Sequence, residues 1–144
     1  MKKLFVYTLV VTVLLGLAAC SNATTAPGAG LEDTKWILES YGEEGDPKTV
    51  LEGTEITVTF NRQDSQVKGS GGCNTYFGEY QAKKNELSIS NLAWTEIGCL
   101  DPEGVMEQEQ RYLSALQAAE SYTIEDGELR ISSLGERVLI FRAK

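Results

Sequence analysis

The sequence predicts a mainly β (α+β) domain: a small antiparallel barrel, closed or half open, of about eight strands with one α-helix. Three observations lead to this prediction. Short runs of alternating apolar and polar residues recur along the chain. Tight-turn signals join most of these runs, so that successive strands form hairpins. A single stretch, near residues 102–120, has the spacing of an amphipathic helix and forms a crossover between strands.

Five strands are predicted in the first part of the domain. The clearest is residues 55–60, in which Ile56, Val58 and Phe60 alternate with polar residues and face inward. Residues 42–47 are predicted to form a loop, and residues 92–101 an irregular connection. The remaining strands of this part are predicted at residues 34–41, 66–71, 76–82 and 86–91.

The predicted helix follows the irregular connection. Asp101 is a good N-cap and Pro102 fits the first turn. One arc of the helix is apolar, and comprises Val105, Met106, Tyr112, Leu113, Leu116 and Ala119.

Three more strands follow the helix. The dipeptide Asp126-Gly127 predicts a tight hairpin between strands at residues 122–124 and 129–131. The last strand, residues 137–142, is apolar on both faces and is therefore expected to lie centrally.

The N-terminus has the pattern of an export signal. Two lysines precede an apolar run that ends at Leu17-Ala18-Ala19-Cys20, and this end resembles the lipobox of bacterial lipoproteins. Residues 1–19 are then a signal peptide, and Cys20 carries acyl chains that hold the protein to a membrane. The alternative is an ordinary signal peptide with an incidental cysteine. Residues 20–33 are predicted to form a flexible tether and residues 34–143 the folded domain.

The predicted location is the cell envelope. Ser21 follows the cysteine, which in a Gram-negative cell favours sorting to the periplasmic face of the outer membrane. The net charge of −8 disfavours nucleic acid as a partner, and any partner is expected to be neutral or basic. We expect a monomer.

The composition disfavours an enzyme. The chain contains no histidine, which excludes Ser-His-Asp and Cys-His catalysis and His-ligated metals. We predict no catalytic residue, no metal site and no cofactor.

Cys73 and Cys99 are the cysteines that remain after lipidation of Cys20. In an oxidising compartment a pair of cysteines usually forms a disulfide bond, which here would close a loop of about 26 residues. The alternative is two buried free thiols.

Glu109 lies near the middle of the apolar arc of the helix. A carboxylate in such a place must find hydrogen-bond donors or hold its proton. We interpret Glu109 as a structural clamp that accepts hydrogen bonds from the turn near Asn74 or from Thr95. The alternative is a general acid or a ligand-binding carboxylate.

The glycine-rich stretch at residues 69–80 admits two interpretations. Its turns could expose backbone N–H groups to an anion, or its glycines could bend a strand at a barrel corner. We favour the structural interpretation. Trp94 and Tyr112 are candidates for lining a ligand groove, with packing of Trp94 on the core as the alternative.

Several of these motifs resemble the META/HslJ family, also called DUF306, over residues 31–142. They are the run Gly-Gly-Cys-Asn-Thr-Tyr-Phe-Gly-Glu-Tyr at residues 71–80, Thr95-x-x-x-Cys99, and Glu109-x-x-Tyr112-Leu113-x-x-Leu116. The resemblance implies a small antiparallel barrel with one helix, in bacterial envelope lipoproteins of which some are linked to heat shock, motility-related secretion or antibiotic tolerance. It implies no catalytic activity. The fold is similar to that of secretin pilot lipoproteins, which bind a lipid or a partner peptide.

The expected function is therefore a non-enzymatic envelope lipoprotein. It would be an accessory or interaction module linked to envelope stress, with an envelope protein as its unknown partner. The alternative is a carrier that holds an apolar or lipid-like ligand between the helix and the barrel, which would require a continuous cavity there.

Overall fold

A computed structural model describes residues 29–144. In this part of the chain there are nine strands and one helix, which are β1 (Trp36–Glu43), β2 (Asp46–Thr49), β3 (Thr57–Asn61), β4 (Gln66–Ser70), β5 (Thr75–Lys83), β6 (Glu86–Trp94), α1 (Val105–Gln117), β7 (Ala119–Glu125), β8 (Glu128–Ser133) and β9 (Arg137–Ala143).

Eight of the strands form a closed antiparallel barrel. The strands run in the order β1, β3, β4, β5, β6, β7, β8 and β9, and β9 pairs with β1 to close the sheet. Strand β2 pairs only with β1 and lies outside this ring. The predicted fold class is thus confirmed, and the barrel is closed.

Two predicted connections are wrong because strands continue through them. Residues 46–49 form β2, since β1 runs on to Glu43 and turns back there to pair with Asp46. Pro47 is tolerated because β2 is an edge strand. Strand β6 continues to Trp94 beyond a register shift near Asn91, whose φ is 51°. Trp94 therefore ends a strand instead of lying in an irregular connection.

The helix begins later than the sequence predicts. Its N-cap is Gly104, with a φ of 87° and no side-chain cap, so the prediction that Asp101 caps the helix is wrong. Met106 is exposed and Ala119 belongs to β7. Within residues 29–144, no helix has the length and apolar character needed to cross a membrane. The buried helix face consists of Val105, Gln108, Glu109, Tyr112, Leu113, Ala115 and Leu116.

The helix packs its buried face against the barrel interior. The hydroxyls of Tyr76 and Tyr112 are 2.6 Å apart, and the Tyr112 ring meets Phe141 edge to face at 6.3 Å between centroids. These aromatic contacts stabilise the junction of the helix with β5 and β9 beyond the area that they bury.

The segment before β1 also contacts the barrel. Leu31 is buried and its carbonyl accepts a hydrogen bond from the indole N–H of Trp36, while the backbone N–H of Asp33 bonds to Phe60. The sequence predicts residues 31–33 to be part of the tether, but they pack on the domain. The predicted signal peptide, residues 1–19, and Cys20 lie outside the described residues.

Candidate functional site

Glu109 meets the turn between β4 and β5 at one end of the barrel. The residue is 3% exposed. Its Oε2 accepts hydrogen bonds from the backbone N–H groups of Cys73 (3.1 Å) and Asn74 (2.5 Å), and its Oε1 accepts one from Asn74 Nδ2 (2.6 Å). Three donors to one buried carboxylate offset the cost of removing it from water. The helix is therefore bonded directly to the turn.

Asn74 extends this network to the segment that follows β6. Its Oδ1 accepts hydrogen bonds from Thr95 Oγ1 (2.8 Å) and from the backbone N–H of Ile97 (2.7 Å), while its Nδ2 also donates to the Ile97 carbonyl (3.1 Å). Thr95 thus bonds to Asn74 and not to Glu109 itself. One buried asparagine positions three parts of the chain: the turn, the helix and the segment after β6.

A disulfide bond between Cys73 and Cys99 joins the same turn to the same connection, with 6.0 Å between the two Cα atoms. We call the set Gly71, Cys73, Asn74, Cys99 and Glu109 the GCN joint. Gly71 is required by space, because a Cβ atom there would lie 2.6 Å from Glu109 Oε2. Gly71, Cys73 and Asn74 of the glycine-rich run each have a distinct structural task.

The GCN joint holds backbone in place and assembles no catalytic pair. The Glu109 oxygens are engaged by donors, no nucleophile is bonded to a base in it, and the chain has no histidine. Across residues 29–144, no three acidic or cysteine side chains converge in a way that could hold a metal ion.

Four large apolar side chains are exposed around the GCN joint, between 40% and 95% by relative area. We call Trp94, Ile97, Leu100 and Met106 the apolar rim. They lie at the end of β6, along the connection and on the first turn of α1, and Met106 Sδ is 3.4 Å from the backbone nitrogen of Cys99. Sequence reasoning missed Ile97 and Leu100, because periodicity carries no information in an irregular segment.

The proposed groove residues do not come together. Tyr112 is fully buried on the inner face of α1 and contacts Tyr76 and Phe141, whereas Trp94 is 45% exposed at the end of a strand. Tyr112 and Leu116 fill the space between helix and barrel, where a carrier would need a cavity.

Comparisons with known proteins agree with this fold. A family model described as META domain matches residues 29–144. No curated protein matches the chain.

Solved structures with the same architecture also match. One is the NMR structure of a protein from Burkholderia xenovorans, which is 25% identical with a TM-score of 0.66 over 79% of this chain and 83% of that one. A second NMR structure is 23% identical, with a TM-score of 0.57 over 76% of this chain and 87% of the other. A crystal structure of a DUF4847 family protein from Bacteroides vulgatus is 15% identical, with a TM-score of 0.58 over 78% and 93%. The last two show the shared fold alone.

Proposed function

We propose, since this chain belongs to the META domain family, that it is a non-enzymatic accessory module of the bacterial cell envelope that binds another protein through its apolar rim. One observation carries the proposal: the apolar rim is exposed and is held by the GCN joint. Leu100 is 95% exposed, which leaves its whole side chain available to a partner.

The rigidity of the rim supports binding. The backbone N–H and carbonyl of Ile97 are both bonded to Asn74, and Cys99, between Ile97 and Leu100, is bonded to Cys73. Because these bonds already order the connection, a partner would lose less free energy to immobilising it. An apolar surface on a fixed backbone is the usual centre of a protein interface.

The charges around the rim indicate the chemistry of the partner. Residues 95–104 contain Glu96, Asp101 and Glu103 and no lysine or arginine. Such a segment is repelled by anionic lipid headgroups. We therefore propose a polypeptide partner that combines apolar side chains with neutral or basic ones.

Strand β6 suggests how the polypeptide is held. It pairs with β5 along its length, but with β7 only at Glu86 and Ser121. From Leu87 to Trp94 its second edge has no strand partner among residues 29–144. An extended segment can hydrogen-bond to such an edge while its side chains meet the rim.

Site-directed photo-crosslinking tests this interface. A photoreactive amino acid at position 100 should give one discrete adduct in cells, and the same residue at Leu134 should not. Leu134 is the matched control, since it is 57% exposed and lies near the other end of the helix, where its N–H bonds to Ala118.

The adduct must also depend on the rim. Trp94→Ala should remove it while circular dichroism shows that the fold is kept, since Trp94 is 45% exposed at the end of β6. Adducts with lipid alone, equal adducts at both positions, or an adduct unaffected by Trp94→Ala would each contradict the proposal.

We also propose that Cys20 is the lipid anchor. The lipobox-like run Leu17-Ala18-Ala19-Cys20 supports both this anchor and a location in the cell envelope. Mass spectrometry of the protein extracted from membranes should find the mature chain beginning at an acylated Cys20. Cys20→Ser should release the protein from the membrane fraction. An unmodified cysteine would contradict the lipid anchor while leaving the rim proposal untouched.

A further inference from the structure

A cleft of about 450 Å³ lies between the β1–β2 hairpin and α1. Its volume falls within the range of small-molecule sites. The helix contributes the stretch from Gln110 to Ala115, so the cleft lies away from the apolar rim at the first helical turn. It is lined by Tyr41, Gly42, Glu43, Asp46, Lys48, Gln110, Arg111, Ser114, Ala115 and Arg137.

Three cationic side chains line this cleft, although the chain as a whole has a net charge of −8. They are Lys48, Arg111 and Arg137. Arg111 forms an ion pair with Glu107 on the preceding helical turn, at 2.7 Å. No carboxylate of residues 29–144 lies within ion-pair distance of Lys48.

Arg137 differs from the other arginines of the described region. Each of the others is paired with a glutamate, but Arg137 has no carboxylate partner there. Its Nε donates to the Leu134 carbonyl (3.0 Å) and its Nη1 to Ser114 Oγ (3.1 Å). A guanidinium has five N–H groups, so the remaining ones are available to an acceptor in the cleft.

Tyr41 supplies a second group without a partner. The residue is 8% exposed, and its hydroxyl makes no hydrogen bond to any side chain or backbone group of residues 29–144, although it lines the cleft. The hydroxyl oxygen itself reaches solvent, so a ligand in the cleft can bond to it. Burial raises the pKa of the Tyr41 phenol, so the hydroxyl keeps its proton and can donate it to an acceptor.

We propose that this cleft binds a small organic monocarboxylate. The free N–H groups of Arg137 and the Tyr41 hydroxyl bond to the carboxylate, and Lys48 and Arg111 add positive charge. Ala115 and the Tyr41 ring offer apolar surface to the rest of the ligand. Glu43 and Asp46 also line the cleft, and their charges disfavour a dianion such as a phosphate monoester.

A titration followed by ¹H–¹⁵N NMR tests this site in the full chain, held in mild detergent. The probe is 4-phenylbutyrate, with the neutral 4-phenylbutanamide and inorganic phosphate as comparisons. The carboxylate should shift the amide signals of Tyr41, Lys48 and Ser114. The amide and phosphate should bind at least about tenfold more weakly.

Variants identify the groups that bind. Arg137→Gln should raise Kd about tenfold and Tyr41→Phe about threefold or more, because each removes a donor to the carboxylate. Lys48→Gln, which breaks no hydrogen bond or ion pair of the described residues, should raise Kd about threefold. Arg62→Gln is the matched control: it removes the same charge from an arginine paired with Glu32 and should leave Kd unchanged.

Three results would overturn the site. The first is no signal shift up to about 10 mM carboxylate. The second is equal binding of the carboxylate and one of the comparison ligands. The third is that Lys48→Gln and Arg137→Gln have the same Kd as the control variant Arg62→Gln.

Discussion

Glu109 and Asn74 are joined twice, since the carboxylate accepts hydrogen bonds from both the backbone N–H and the side-chain amide of the asparagine. Both residues are almost fully buried. The helix therefore cannot shift relative to the β4–β5 turn without leaving a buried carboxylate short of donors.

Glu109→Gln should destabilise the protein by about 2–4 kcal/mol. In either orientation of the glutamine amide, its NH₂ group faces another hydrogen-bond donor, which is either Asn74 Nδ2 or a backbone N–H of the turn. Urea denaturation at neutral pH measures the loss. Glu107→Gln is the control, because its exposed ion pair with Arg111 should contribute less than about 1 kcal/mol. Equal stability of both variants would show that the clamp does not exist.

Gly71→Ala should cost about 2–3 kcal/mol, because the new Cβ would overlap the Glu109 carboxylate. In a Glu109→Ala background this overlap is absent, so the same substitution should cost at least about 1 kcal/mol less. The control is Gly45→Ala, where a Cβ meets nothing within 4 Å. Strict additivity of the two substitutions in the double-mutant cycle would contradict the contact.

The Cys73–Cys99 bond should contribute about 3.5 kcal/mol, the chain-entropy value for its 26-residue separation. Replacing both cysteines with serine should lower the stability by this amount and leave the fold intact, since Asn74 and Glu109 still bind the turn. Alkylation and mass spectrometry of the protein isolated from cells should find neither thiol free. Free thiols at both positions would show that the disulfide bond does not form in the cell.

The buried tyrosines should make the protein sensitive to alkali. Burial is the main cause that raises the pKa of Tyr76 and of Tyr112 above the unfolded value of about 10. Above pH 10 the folded state therefore binds more protons than the unfolded state. The contribution of these tyrosines to the free energy of unfolding is fully present below about pH 10 and is lost as the pH rises above it.

Absorbance at 295 nm and circular dichroism, recorded together from pH 9 upward, measure this alkaline effect. The phenolate signal of the buried pair should appear only as the fold is lost. Full ionisation of every tyrosine with the dichroism unchanged would contradict the argument. Tyr112→Phe should reduce the loss of stability above pH 10.

Local patterns were sufficient for much of the fold. Strand β3 has inward Val58 and Phe60, and Asp126-Gly127 joins β7 to β8, as predicted. These features depend on alternation and on turn geometry, which neighbouring residues carry. The run at residues 71–80 that resembles the META/HslJ family is also local in the sequence, although it contacts Glu109 and Cys99, which lie far along the chain.

Features set by distant contacts were missed. Strand β2 has no buried face, and only its pairing with β1 defines it. Gln108 was not recognised as buried, because its partners Leu51 and Thr54 are more than 50 residues away. The cleft shows the same limit, since it is lined by Tyr41 and Arg137, which are far apart in the sequence. No periodicity or spacing in the sequence predicts that these two residues lie close together.

The pairing of β1 with β9 has a consequence for the order in which the protein is made. The first strand of the barrel can complete its pairing only when the last strand is present, because Trp36 pairs with Ala143 near the C-terminal end of the sequence. Until the final strand is in place, β1 and β8 each present an unpaired edge, which other chains could join. The two ends also lie close in space, since the backbone N–H of Lys144 bonds to the Lys35 carbonyl, so a circular permutant that joins them and begins elsewhere should keep the fold.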